Sequence, residues 1–194
     1  MSRFRRGILA RILQVTPSEW TKEWNVSKGD MTENGFTVSG NNSYGGGYEL
    51  TSDGQLFTCT NSQNVTIAIN TQSSETMIQE CKFNISLLSD LGVDWYISNG
   101  STSARVQFRL YGGVYQMRVQ TAQYNLAVIT GIDNVIVNRD CVMRLEYSQD
   151  RHLKVYLDDT LYYDNTTYNT GNADTTFTVH VGSTMLLKEF NLRY

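Results

Sequence analysis

The sequence predicts an all-β protein built as an antiparallel β-sandwich, and three observations carry that prediction. From Trp24 onward, apolar residues recur at every second position in short runs, which is the period of a half-buried strand and not of a helix. Gly, Asn and Asp turn signals separate the runs. The composition, with 12 Tyr and 15 Gly against 1 Pro, favours strands and tight turns over long helices. One polar side per strand points to antiparallel pairing, because parallel sheets are covered on both faces.

The elements follow in chain order. Residues 1–19 stand apart as a basic amphipathic segment, and the sandwich occupies 20–194. In a helix, Phe4, Ile8, Ile12 and Val15 would share a face, extended by Leu9 and Leu13, with Arg3 and Arg6 opposite. Thr16-Pro17-Ser18-Glu19 has the pattern of a helix cap. The stretch 17–26 is open between two readings: a helical turn pairing Trp20 with Trp24, or a strand through Trp24 and Val26. Asn34-Gly35 then turns into Phe36-Thr37-Val38. Val65, Ile67 and Ile69 alternate with polar or small residues, as do Cys81, Phe83, Ile85 and Leu87. Ser89 to Gly100 reads as a loop or a short edge. Val106, Phe108 and Leu110 alternate up to Gly112-Gly113, a hairpin signal leading into Tyr115, Met117 and Val119. Cys141 to Tyr147, Leu153 to Leu157 and Leu161 to Tyr163 form a further run, with Asp158-Asp159 as a turn. Phe177 to Val181 and Leu187 to Tyr194 close the chain.

Composition excludes several function classes. A net charge of −3 is far from the basic stripe a nucleic-acid binder needs. Cys59, Cys81 and Cys141 are odd in number and widely spaced, with no CxxC pair, so neither a zinc site nor a disulfide framework is expected. Their apolar settings predict buried free thiols, suited to a reducing cytosol. No run is long enough to cross a bilayer as a helix, and Arg11 interrupts the one signal-peptide-like stretch.

Three stretches carry a resemblance. Trp24-Asn25-Val26 with Asn34-Gly35-Phe36-Thr37-Val38-Ser39-Gly40 is similar to the opening strand pair of laminin-G-like modules. Met143-Arg144-Leu145-Glu146-Tyr147 through Asp158 is similar to their paired strands, with Asp159 where a Gly is usual. Gly182 to Tyr194 is similar to the closing strand that runs back beside the first. In order and spacing, residues 20–194 resemble the concanavalin A-like lectin/glucanase superfamily. That resemblance implies a concanavalin-like jelly roll. The start, Met1-Ser2-Arg3-Phe4-Arg5-Arg6-Gly7, resembles the short Arg-rich beginnings of virion proteins of tailed bacteriophages, crAss-like phages among them.

The chemistry of catalysis is missing from the pattern. The glycosidase branch of the superfamily sets its acid and nucleophile on one strand in a Glu-x-Asp-x-x-Glu run, with carboxylates about 5 Å apart for retention. No such run exists in this chain. Glu146 is paired by alternation with Arg144, and adjacent Asp158 and Asp159 suit a turn. With His152 and His180 as the two histidines and no Gly-x-Ser-x-Gly elbow, a Ser/His/Asp triad has little support. Asp53, Asp90 and Asp94 are scattered, so no metal and no cofactor are expected.

Binding is the better expectation. Sugars stack on aromatic rings and hydrogen-bond to amides and guanidinium groups. Trp95 and Tyr96 sit amid Asp and Asn; Arg105, Gln107 and Arg109 alternate on one strand; Tyr111 and Tyr115 flank the hairpin turn. A face of Trp95, Tyr96, Arg105, Arg109, Tyr111 and Tyr115 would take a glycan or a protein, against the plainer reading of ordinary packing and a solvated polar side. For residues 1–15 the expectation is an anchor to other virion proteins through Arg3, Phe4, Arg5, Arg6, Ile8, Leu9, Ile12 and Leu13. The rivals are packing on the chain's own sandwich or on a membrane surface. The whole reading is a non-enzymatic virion structural, decoration or adhesion protein. It would be made in the host cytoplasm and present in several copies, because avidity compensates for weak single sites. A stand-alone carbohydrate-binding module and, further off, a glycoside hydrolase-like enzyme are the alternatives.

Overall fold

The computed structural model describes residues 20–39, 46–59, 64–69, 76–98, 103–121, 125–148, 152–166 and 174–194. Residues 1–19, which hold the whole expected anchor, lie outside the described residues.

Two antiparallel sheets face each other. Sheet 1 has the order β13 (Thr160–Thr166), β12 (His152–Leu157), β11 (Asp140–Tyr147), β6 (Met77–Leu87), β15 (Ser183–Arg193), β4 (Gln55–Cys59), β3 (Gly46–Leu50). An eighth strand, β1 (Lys22–Asn25), continues the line of β4 along β15, pairing Lys22 with Leu192 and Trp24 with Phe190. Sheet 2 has the order β10 (Asn125–Thr130), β9 (Val114–Thr121), β8 (Ser103–Tyr111), β7 (Val93–Ser98), β14 (Asp174–Val179), β5 (Val65–Ile69), β2 (Thr37–Ser39). A single helical turn, α1 (Asp133–Ile136), links the end of sheet 2 to sheet 1.

Alternation drives this arrangement. Burial alternates along β11 and along β6 up to Ile85, and in β15 it resumes after a slip at Lys188-Glu189, so each strand has one apolar side that must meet another sheet. The two inner faces interlock through aromatic rings. Trp95 of β7 lies with its ring centroid 5.2 Å from Phe83, 5.5 Å from Phe108 and 6.2 Å from Phe177. Phe177 in turn meets Phe57 and Phe190, which packs edge-on to Phe36. Cys59, Cys81 and Cys141 are buried free thiols, as expected. Burial pushes the thiols of Cys81 and Cys141 up to about 12, so they behave as small apolar groups.

The turns behave as the sequence predicts. Gly112-Gly113 joins β8 to β9 with φ of 59° and 79°, the left-handed pair of a type I′ hairpin. Asp158-Asp159 joins β12 to β13 in the same way, with φ of 45° and 61°. Two non-glycine residues tolerate this because hydrogen bonds hold them: Asp158 Oδ1 accepts from the Val142 N–H at 2.9 Å, and Asp159 pairs with Arg144. The last strand does run back beside the first, since β15 pairs with β1.

The opening stretch resolves to a strand over Lys22–Asn25, followed by a 3₁₀ turn at Val26–Lys28. Trp24 enters the core, and its indole N–H donates to Gly29 O at 2.9 Å. Within the stretch expected to be a loop or short edge, residues 89–92 are a connection and residues 99–100 lie outside the described residues, but the middle is neither. Val93–Ser98 is a central strand of sheet 2, between β8 and β14. Val93, Trp95 and Ile97 supply its apolar side, and the acidic and amide residues around them hid that alternation.

Candidate functional site

The outer side of sheet 2 is where polar side chains gather, and strand register places them. The Gly112-Gly113 hairpin fixes Arg109 opposite Gln116, Gln107 opposite Arg118 and Arg105 opposite Gln120. The next register sets Asp94 beside Gln107 and Tyr96 beside Arg105. Beyond them Thr178 lies beside Asp94 and bonds Thr66 at 3.0 Å. On the other flank β10 brings Leu126 and Val128 beside Gln120 and Arg118, each 47% exposed.

Asp94 is the hub. It is 0% exposed, and its Oδ2 accepts from Arg105 Nη2 at 2.7 Å, from Tyr96 OH at 3.0 Å and contacts His180 Nε2 at 2.6 Å. An ionised carboxylate only accepts, so with Asp94 ionised the donor in this contact would be His180 Nε2. A buried charge is tolerated only with such partners. Oδ1 has no hydrogen-bond partner. Burial, and then the Asp94 charge, push the Tyr96 phenol up to about 12, so Tyr96 stays a neutral donor. Gly92 holds the approach to this hub. It has φ of 68°, and a Cβ there would sit 1.8 Å from Phe108 O. Its carbonyl accepts from the His180 N–H at 2.9 Å.

Around the hub, Gln107 is clamped at both ends: its Nε2 donates to Leu91 O at 2.7 Å and its Oε1 accepts from Arg118 Nη1 at 3.1 Å. Arg109 donates from Nε and Nη2 to Gln116 Oε1, at 3.1 and 2.8 Å, and its guanidinium lies 4.2 Å from the Tyr111 ring centroid. Burial lowers the Arg118 pKa, and repulsion from Arg109 and Arg105 lowers it further.

The structure brings four of the six expected residues to one side of the sheet. Tyr96, Arg105, Arg109 and Tyr111 do share it, and Tyr111 is 55% exposed. Trp95 does not: it is 1% exposed and points between the sheets, because it alternates with Asp94 and Tyr96. Tyr115 also packs against the core, since it pairs with inward-facing Leu110. Sequence reasoning missed Asp94, Arg118, Gln116 and His180. A signal existed for two of them: a two-residue hairpin at Gly112-Gly113 fixes the register, which puts Gln116 and Arg118 on the side of Arg109 and Gln107 and turns Tyr115 inward.

Elsewhere, an open depression of about 440 Å³ lies at one end of sheet 1, bordered by Met77, Glu146, Tyr147 and Lys154, and it shares no residue with this face. Among the described residues, no group of three or more His, Cys, Asp or Glu is placed to hold a metal ion.

No family model matches the chain, and no curated protein matches it. Solved structures do. The metal-free carbohydrate recognition domain of Emp46p matches with a TM-score of 0.68 and 10% identity, over 91% of this chain and 98% of that one. The carbohydrate-binding module CBM66 of Bacillus subtilis matches at 0.57 and 17% identity, over 82% and 96%. A carbohydrate esterase of the Shiga toxin-encoding bacteriophage phi24B matches at 0.65 and 11% identity, over 90% and 97%. The chain spans only 18% of a sialidase that it also matches. These likenesses define the class: a lectin-like, concanavalin-type jelly-roll sandwich.

Proposed function

We propose that this chain is a non-enzymatic, sugar-binding β-sandwich serving as an adhesion or decoration protein of a tailed-phage particle, held to other virion proteins by residues 1–19. The observation that carries the sugar-binding part is the outer face of sheet 2, where guanidinium, amide and phenol groups are fixed by strand register and by one buried carboxylate. Guanidinium and amide groups of this kind hydrogen-bond sugar hydroxyls, and Tyr96 and Tyr111 offer ring surface. Solved domains of the same fold include a carbohydrate recognition domain and a carbohydrate-binding module.

Binding is favoured over bond cleavage for a physical reason. Glycoside hydrolysis needs two carboxyl groups flanking the scissile bond. Among the described side chains this face has one, Asp94, sealed from solvent. The particle role is supported by the Arg-rich start and by the phage esterase of matching length. A stand-alone carbohydrate-binding module is the second reading, favoured by the match to CBM66 over 96% of that module.

A glycan array on the whole chain tests the binding role. Signal lost on Tyr96→Ala or Arg105→Gln is the expected result, and silence across the array overturns it. Release of reducing sugar from a bound polysaccharide would overturn the non-enzymatic reading. Deletion of residues 1–19 should abolish incorporation into particles; retained incorporation would remove the anchor, and absence from particles altogether would leave the stand-alone module.

A further inference from the structure

We infer that the ligand of the sheet 2 face is an acidic glycan, whose oxyanion seats on the guanidinium groups of Arg118 and Arg109. This rests on the reading of that face as sugar-binding and narrows it to sugars bearing a carboxylate or an acidic ester. Three arginines on two neighbouring strands point to one side of the sheet, and register holds them close: Arg118 lies opposite Gln107, between Arg105 and Arg109. Among the described side chains a single carboxylate answers them. Asp94 makes its direct contacts with Arg105 at 2.7 Å and His180 at 2.6 Å, and it reaches Arg118 through its field alone. Among the described residues the hydrogen bonds of Arg109 and Arg118 go to amide oxygens, and Arg109 also lies over the Tyr111 ring. The Nε atoms of Arg105 and Arg118 are buried with no hydrogen-bond partner.

Such a cluster works against the folded state. Like charges repel, and buried donors without acceptors cost free energy. Burial, and then Arg109 and Arg105, lower the Arg118 pKa, with Asp94 and Tyr111 acting the other way. An incoming oxyanion would offset the repulsion, and the planar guanidinium suits a two-oxygen acceptor. Arg118 and Arg109 are therefore assigned the charge recognition, and Gln107 is a positioning residue that holds Arg118. Exposed Leu126 and Val128 border the cluster on β10 and supply apolar surface for a sugar ring.

Titration calorimetry on the whole chain tests this with four probes: oligogalacturonate, a sulfated dextran oligosaccharide, neutral dextran oligosaccharide and a single-stranded oligonucleotide. The expected result is binding of one or both acidic sugars, weakened at least tenfold between low and high salt. Arg118→Gln should reduce it by about tenfold, while Lys82→Gln on sheet 1 leaves it unchanged. The preferred probe of the first two says whether carboxylate or sulfate ester is read. Neutral sugar binding as tightly as the acidic ones would overturn the acidic assignment and leave the sugar-binding role standing. No sugar binding at all would remove both. Equal binding of the oligonucleotide would replace the sugar with a general polyanion. The salt dependence of the unmodified chain needs no variant and reads the same assignment if Arg118→Gln fails to fold.

Discussion

The outer sides of the two sheets treat charge in opposite ways. On sheet 1 the charges are matched: Arg144 meets Glu146 at 3.0 Å and Asp159 at 3.3 Å, Lys188 meets Asp140 at 2.8 Å, and Lys82 meets Glu189 at 3.7 Å. Arg144 also lies 4.4 Å from the Tyr156 ring. Among the described side chains of sheet 2, three arginines share one acid, and that acid is sealed from water. Both faces arise from the same alternation on the same fold. A face that only has to be soluble can settle its charges internally. A face that leaves cations unanswered in register has been kept at some cost to stability, and ligand binding is the usual return for that cost.

The largest effect is expected at Trp95 and its neighbour, which face opposite sides of one strand. Trp95→Ala should lower unfolding free energy by about 3–5 kcal/mol, measured by denaturant melts, because the ring fills the space between the sheets. Tyr96→Ala, one residue on and facing outward, should cost much less and show mainly as lost ligand. A mild effect of Trp95→Ala would mean that β7 is turned the other way, and the sheet 2 face would have to be redrawn.

Gly92→Ala comes next. A methyl group there collides with Phe108 O, so a loss of about 1–3 kcal/mol is expected, with a weakened His180–Asp94 contact visible in the His180 imidazole NMR signals. Wild-type stability would show that the hub does not depend on this close approach.

The charge contrast itself predicts a smaller and sharper difference. Arg144→Gln should destabilise by up to about 1 kcal/mol, the range of partly exposed pairs. Arg118→Gln should leave the melting temperature unchanged or raise it, since it removes repulsion. Equal losses in the two variants would erase the distinction between the faces.

The smallest effects are in pH. Asp140 is held below the usual carboxylate range by the Lys188 hydrogen bond, so its share of stability is present above the unfolded value, about 3.9, and is lost as pH falls through the folded one. Tyr96 is raised to about 12, so its share is complete below about 10 and fades as pH rises toward 12. Lys188→Met should flatten the acid side of a stability–pH curve, and Tyr96→Phe the alkaline side. Unchanged curves would mean that neither contact forms in solution.

Much of the fold was legible because strand alternation and turn chemistry are local. The Gly112-Gly113 hairpin, the Asp158-Asp159 turn, the three buried thiols and the shared face of Arg105, Gln107 and Arg109 all follow from neighbours in sequence. Val93–Ser98 was misread because its outward residues, Asp94 and Tyr96, look like loop chemistry when their partners are unknown. Trp95 looked like an available ring for the same reason: its side of the strand depended on recognising the strand.

The sequence by itself determined the period-two pattern, the turn positions and hence an antiparallel sandwich, since each of these depends on residues within a few positions of one another. Only the tertiary structure decided that Asp94 would be sealed beneath Tyr96, Arg105 and His180, and that Arg118 would stand between Arg105 and Arg109 with no acid bonded to it among the described residues. His180 reaches Asp94 across 86 residues of chain, and such a meeting is set by which strands neighbour each other in the sheet, a choice made by packing of the whole core.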